Sequence, residues 1–194
     1  MIHVAVVGHV SRQARAEALA GKLGAELFLD RLTLGSTHNH LRALNWGAEL
    51  DGHLVVLEDD ALPVDGFLTL AASYLDRFPD RVLSWYLGTD TRPHQRFIPG
   101  WLELAEREGR DWCAHPKLLH AVSYAMSCDM VRSLTYKATR FAADEMISEA
   151  LRSAEAGPVI YTIPSLVDHA DEQSIENPNR GVARKAWRIA TLTA

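Results

Sequence analysis

A chain of 194 residues, 47% of them hydrophobic, holds enough apolar side chains for one core, so a single domain over residues 1–194 is expected. The formal net charge of -5 disfavours a protein whose main partner is a polyanion. Cys113 and Cys128 are too few for a disulfide scaffold and fit buried fillers in a reducing compartment; with no basic leader and no long apolar span, a cytoplasmic protein without a membrane span is expected.

The apolar run at residues 2–7 reads as a buried first strand, and Gly8 permits a tight turn after it. A helix over about 12–23, closed by Gly24, leads to a second strand at 26–29 with Asp30 at its end. Ser36 is the expected N-cap of a helix to about Leu50, and residues 53–57 form the third strand. This β-α-β-α-β order predicts an α/β fold with a mostly parallel central sheet flanked by helices. Asp65 is expected to cap a helix that Pro79 ends, before a strand at 82–87.

From 88 to 119 the pattern breaks at Pro93, Pro99, Gly100, Gly109 and Pro116, and an irregular loop or lid bearing His94, Arg96, Trp101 and Trp112 is expected there. Trp46 and Trp85 lie within regular elements and are expected in the core. A strand at 121–126, a helix at 128–136, a helix opened by Asp144 and a strand at 159–163 follow. The tail at 180–188 carries Arg180, Arg184, Lys185 and Arg188.

Chemistry concentrates after the third strand, where Glu58, Asp59 and Asp60 end an apolar run. Three like charges there are unfavourable unless a cation holds them. Glu58 and Asp60 stand two positions apart and so project to one side of an extended segment. A divalent ion carrying a diphosphate would satisfy that pattern; a solvated acidic turn is the alternative. In an open α/β sheet, ligands lie beyond the carboxyl ends of the strands, which adds 8–12, Asp30 and Asp168-His169 to the candidate site. The first turn lacks Gly-x-Gly-x-x-Gly, and neither a phosphate loop nor a nucleophile elbow occurs, which argues against hydride transfer and those phosphate and acyl chemistries.

Together, the parallel-sheet start, the strand entering Glu58-Asp59-Asp60 and the distal Pro164-Ser-Leu-Val-x-His169 resemble a GT-A glycosyltransferase. The likeness is greatest to the lipopolysaccharide-type and collagen-type galactosyltransferase family, over about residues 2–176. The resemblance implies a GT-A-like fold and transfer of a hexose from a nucleotide-diphosphate sugar, UDP being the expected nucleotide, to a hydroxyl acceptor with inversion. It implies that Asp60 is the direct metal ligand, that Glu58 lies nearer the ribose or binds through water, and that His169 completes the shell of Mn²⁺ or Mg²⁺. It also implies an acceptor-deprotonating acid at Asp144, with Glu145 second. Strand-end position assigns Val7, Gly8, His9 and Arg12 to the base and Asp30 to uracil or the ribose, with Asp59 in the same donor site. Arg42 and Asn45, three apart on one helix, can face the diphosphate or the donor sugar together.

Two other functions fit part of the pattern. A metal-dependent nucleotidyltransferase needs a Gly-rich basic loop after the first strand, and 8–12 holds one Gly and one Arg. A non-catalytic nucleotide-sugar-binding protein would not need Glu58, Asp60, His169 and Asp144 together. The acceptor stays open among a glycan, a protein side chain and a modified DNA base.

Overall fold

The computed structural model describes residues 1–89, 96–136, 142–171 and 183–191. Its strands are β1 (Ile2–His9), β2 (Glu26–Asp30), β3 (His53–Glu58), β4 (Ala61–Pro63), β5 (Leu83–Ser84), β6 (Trp112–His115), β7 (Ser123–Ser127), β8 (Val159–Thr162) and β9 (Val167–His169). The helices are α1 (Gln13–Leu23), α2 (Ser36–Gly47), α3 (Phe67–Arg77), α4 (Ile98–Arg107), α5 (Cys128–Ser133) and α6 (Ala143–Ser153).

Seven strands form one sheet in the order β2-β1-β3-β7-β5-β8-β6, and β4 pairs with β9 in a separate ribbon. β1 lies parallel to β2 and β3, and β5 lies parallel to β8. β7 runs antiparallel to both β3 and β5, and β6 antiparallel to β8. The fold is therefore mixed α/β with a parallel-rich sheet, and β7 interrupts the parallel set at its centre.

Side-chain alternation along the strands explains why helices cover both faces. Val4 and Val6 of β1 and Val55 and Leu57 of β3 pack with Leu19 of α1 and Phe67 and Leu75 of α3. Ala5 and Val7 and Leu54 and Val56 point the other way, onto Leu44 of α2, Val131 of α5 and Ile147 of α6. Each large aliphatic side chain so buried contributes about 1.5–3 kcal/mol. Trp85 is fully buried between the ring edges of Phe67 and Tyr74, whereas Trp46 is only partly buried and tilts against Phe28.

Several expected boundaries shift. Gly24 closes α1 in the left-handed conformation at φ 62°, as its position suggests. Gly35, not Ser36, is the N-cap of α2, and Gly66 rather than Asp65 precedes α3. The stretch 88–119 is not irregular throughout, because α4 and β6 lie within it. Pro99 stands in the first turn of α4, where a missing N–H is harmless, so it starts the helix instead of breaking it. Trp112 belongs to β6 and meets Phe78 edge-on, while Trp101 packs on His115. His94 lies outside the described residues, as does Arg180. No helix among the described residues is long and apolar enough to cross a membrane.

Candidate functional site

The carboxyl ends of β1, β2 and β3 open into a cleft of about 350 Å³. Because β7 is reversed, the residues before it, His120, Ala121 and Val122, reach the same edge and form the opposite wall. Tyr86 after β5, Asp144 at the start of α6, His169 of β9 and Arg184 complete the lining. A ligand cleft at strand ends is the arrangement expected of an open α/β sheet.

Of the candidates, Val7, Gly8, His9, Arg12, Asp30, Glu58, Asp59, Asp60, Asp144 and His169 all line this cleft. Arg42, Asn45 and Glu145 do not. Arg42 lies alongside the Phe28 ring and donates to the Leu29 carbonyl at 3.1 Å and to Asn39 Oδ1 at 3.0 Å, so it braces the α2–β2 contact. Asn45 is exposed a further turn along α2. Asp144 and Glu145 are successive helix residues pointing about 100° apart, and Asp144 is the one that lines the cleft. Asp144 is the buried one; its Oδ1 accepts from the Glu145 N–H at 3.0 Å.

The three consecutive acids have three different environments. Asp59 is anchored in the wall: one oxygen accepts from the His9 N–H at 2.8 Å, the other from Arg12 at 3.1 Å. Burial holds its carboxyl above the ordinary range even against those donors. Gly8 makes this approach possible, since a Cβ there would lie 2.8 Å from Ala16 Cβ and 3.3 Å from Asp59.

Asp60 Oδ2 accepts from Arg12 at 2.7 Å, and His169 Nε2 lies 3.2 Å away. Burial by itself pushes this carboxyl up, but the His169 ring and the charges of Arg12 and Arg184 outweigh it and bring it down to about 2.

Glu58 is the most exposed of the three, and its Oε1 lies 3.2 Å from His40 Nε2. His40 is fully buried; its Nδ1 is 3.0 Å from the Tyr124 hydroxyl, whose pKa burial drives well up. His40 and Tyr124 thus form a buried brace behind the Glu58 carboxylate.

Asp30 has a structural task that strand-end reasoning misses. Its carboxylate accepts from the N–H groups of Leu34 and Gly35 at 3.1 and 2.9 Å, pinning the loop that enters α2. Burial opposes its charge, but those backbone donors hold its pKa below the usual value. Asn39 fastens the same corner, donating to the Gly8 and Phe28 carbonyls at 3.1 and 2.6 Å.

Asp60 Oδ1 is buried and has no hydrogen-bond partner among the described residues, and His169 Nε2 faces the other oxygen of the same carboxylate at 3.2 Å. Nδ1 of His169 accepts from the Asp171 N–H at 2.8 Å, which places the proton of a neutral ring on Nε2. Ligation through Nε2 would therefore require the other tautomer and loss of that bond. Among the described residues no three His, Cys, Asp or Glu side chains converge as a ready-made metal cage. The donor set fits an ion taking one or two protein atoms and completing its shell with phosphate oxygens and water, the habit of Mg²⁺ and Mn²⁺.

Of the basic tail, Arg184 reaches the cleft and donates its backbone N–H to Asp171 Oδ1 at 2.7 Å. Lys185 Nζ instead donates to the His169 carbonyl at 2.8 Å, and Arg188 pairs with Glu106 at 3.1 Å. Sequence reasoning missed Asn39, His40, Tyr86 and His120. Asn39 and His40 stand three and four residues after Ser36, on a helix that the sequence makes visible, but His120 precedes a strand whose reversal no local pattern announces.

The chain matches no protein-family model and no curated protein. Among solved structures it is similar to "Crystal Structure of A197 from STIV", at 13% identity and a TM-score of 0.51, over 99% of this chain and 98% of that one. At that identity the likeness concerns the fold alone.

Proposed function

We propose that this chain is a GT-A-like glycosyltransferase that moves a hexose from a nucleotide diphosphate, UDP being the best candidate, to a hydroxyl acceptor with Mn²⁺ or Mg²⁺. The observation that carries this reading is the meeting of Asp60, His169 and Asp144 in one strand-end cleft, with buried Asp60 Oδ1 lacking a hydrogen-bond partner among the described residues. Those residues come from three distant parts of the sequence, and a merely solvated acidic turn would not gather them.

On this reading Asp60 would hold the metal, with Glu58 near the ribose, and His169 Nε2 would join it only on giving up the bond that its Nδ1 accepts from the Asp171 N–H. A bound divalent ion would stabilise, as a Lewis acid, the charge that grows on the departing diphosphate. Arg12 and Arg184 add positive charge beside the same phosphates. Val7, Gly8 and His9 floor the nucleoside side, and Asp30 shapes it by holding the loop rather than by touching the base. Asp144, at the start of α6 in the same cleft, is the group we assign to take the acceptor proton, the base that an inverting displacement needs on the face opposite the leaving group.

Incubation of the protein with a panel of UDP-hexoses and Mn²⁺ tests the proposal, with release of free UDP as the readout. UDP release that depends on the ion and is lost in Asp60→Asn supports it. Release of pyrophosphate from nucleoside triphosphates with a sugar phosphate would favour the nucleotidyltransferase alternative. Binding of a UDP-sugar without turnover, given glycan, protein and hydroxylated-base acceptors, would favour a non-catalytic binding protein.

A further inference from the structure

Resting on the proposal of a metal-assisted donor site, we infer that Arg12 is a built-in counter-ion of Asp60, displaced when a divalent cation arrives with a diphosphate. Three consecutive acids at a strand end call for a cation, and here the guanidinium supplies it. One nitrogen, Nη1, reaches both Asp59 Oδ1 at 3.1 Å and Asp60 Oδ2 at 2.7 Å. All three side chains are at least 87% buried, so the pair is little screened by solvent.

The two acids do not hold Arg12 equally. Asp59 keeps the His9 N–H as a second donor and stays satisfied if the guanidinium moves. Asp60 would lose its shortest contact, retaining the 3.2 Å approach of His169. A cation that binds Asp60 therefore competes with Arg12 directly. A bare ion faces both the guanidinium's attraction for the carboxylate and its repulsion of a second positive charge.

A diphosphate changes this balance because it offers Arg12 another anion in the same cleft. A guanidinium binds phosphate oxygens as readily as carboxylates, and it can turn from Asp60 to the phosphates without leaving the site. Ion and nucleotide then bind cooperatively, and neither is held tightly alone. The coupling must be reciprocal: whatever factor UDP adds to the affinity for Mn²⁺, Mn²⁺ adds to the affinity for UDP.

Mn²⁺ binding to the full chain, measured by electron paramagnetic resonance of the free ion with and without UDP, tests this. The wild type is expected to bind Mn²⁺ weakly alone and about tenfold or more tightly with UDP. Arg12→Gln is expected to bind Mn²⁺ alone about tenfold more tightly than the wild type and to lose most of the enhancement by UDP. Arg12→Lys, whose ammonium is a point charge rather than a planar fork, should lie between them and covers the case in which Arg12→Gln does not fold. Equal affinities of all folded proteins for Mn²⁺ without UDP would overturn the counter-ion role while leaving UDP-dependent metal binding intact. Absence of Mn²⁺ binding in every protein, even with UDP, would overturn the metal-assisted reading and this inference with it.

Discussion

Asp59 and Asp60 are adjacent, equally buried and bonded to the same guanidinium nitrogen, yet their carboxyls shift in opposite directions. Burial dominates at Asp59 and raises it; at Asp60 the His169 ring and two arginines overcome burial and depress it. The difference follows from direction. Asp59 turns into the wall formed by β1 and the turn after it, whereas Asp60 turns toward the β4–β9 ribbon and the cleft.

That opposition predicts a pH effect. A depressed folded-state pKa means that ionised Asp60 contributes stability above the ordinary carboxylate value, about 3.9. The contribution disappears as pH falls toward the folded-state value of about 2. In urea denaturation across pH 5 to about 2, the wild type should therefore lose stability faster than Asp60→Asn. Parallel curves for the two proteins would show that the ion contributes nothing to folding.

Gly8→Ala should destabilise the fold by about 1–3 kcal/mol, since overpacking forces neighbouring groups to shift. The added methyl meets Ala16 and Asp59, which are core and site at once. The same variant should weaken nucleotide binding, because Asp59 cannot keep its bond to the His9 N–H. Denaturation midpoints and calorimetric titration with UDP measure the two effects on one sample.

His40→Leu should cost about 1–3 kcal/mol by leaving the buried Tyr124 hydroxyl without its partner. Tyr124→Phe should cost less, since it removes the buried hydroxyl along with the bond. The double variant should then be less destabilised than the sum of the singles, the mark of a shared contact in a double-mutant cycle.

Asn45→Ala should leave stability within about 0.5 kcal/mol and UDP affinity unchanged, as befits an exposed residue outside the cleft. Asn39→Ala, six residues earlier on α2, should lose both, because its amide fastens β1 and β2 at the cleft floor. A loss of UDP affinity in Asn45→Ala would restore the role that helical spacing had suggested for it.

Much of this site is legible in the sequence because strand ends are. Apolar runs locate β1, β2 and β3, and in a parallel arrangement their carboxyl ends must share one edge, which brings together His9, Asp30 and Glu58 to Asp60. The remainder depends on long-range pairing. Reversal of β7 places His120 in the cleft, and the β4–β9 ribbon sets Ala61 opposite His169, bringing Asp60 within reach of its ring. Burial also decides what spacing cannot. Asp30 lines the cleft and also holds the loop into α2 through two backbone N–H groups, whereas Arg42 lies outside the cleft and bonds the Leu29 carbonyl and Asn39 Oδ1.

Isothermal titration of UDP into the wild type and Asp60→Asn, each with and without Mn²⁺, tests the central claim most directly. The account predicts heat of specific binding for the wild type that is at least about tenfold stronger with the ion, and no ion dependence in Asp60→Asn. Equal UDP affinity with and without Mn²⁺ in the wild type, or an ion effect that survives in Asp60→Asn, would contradict it.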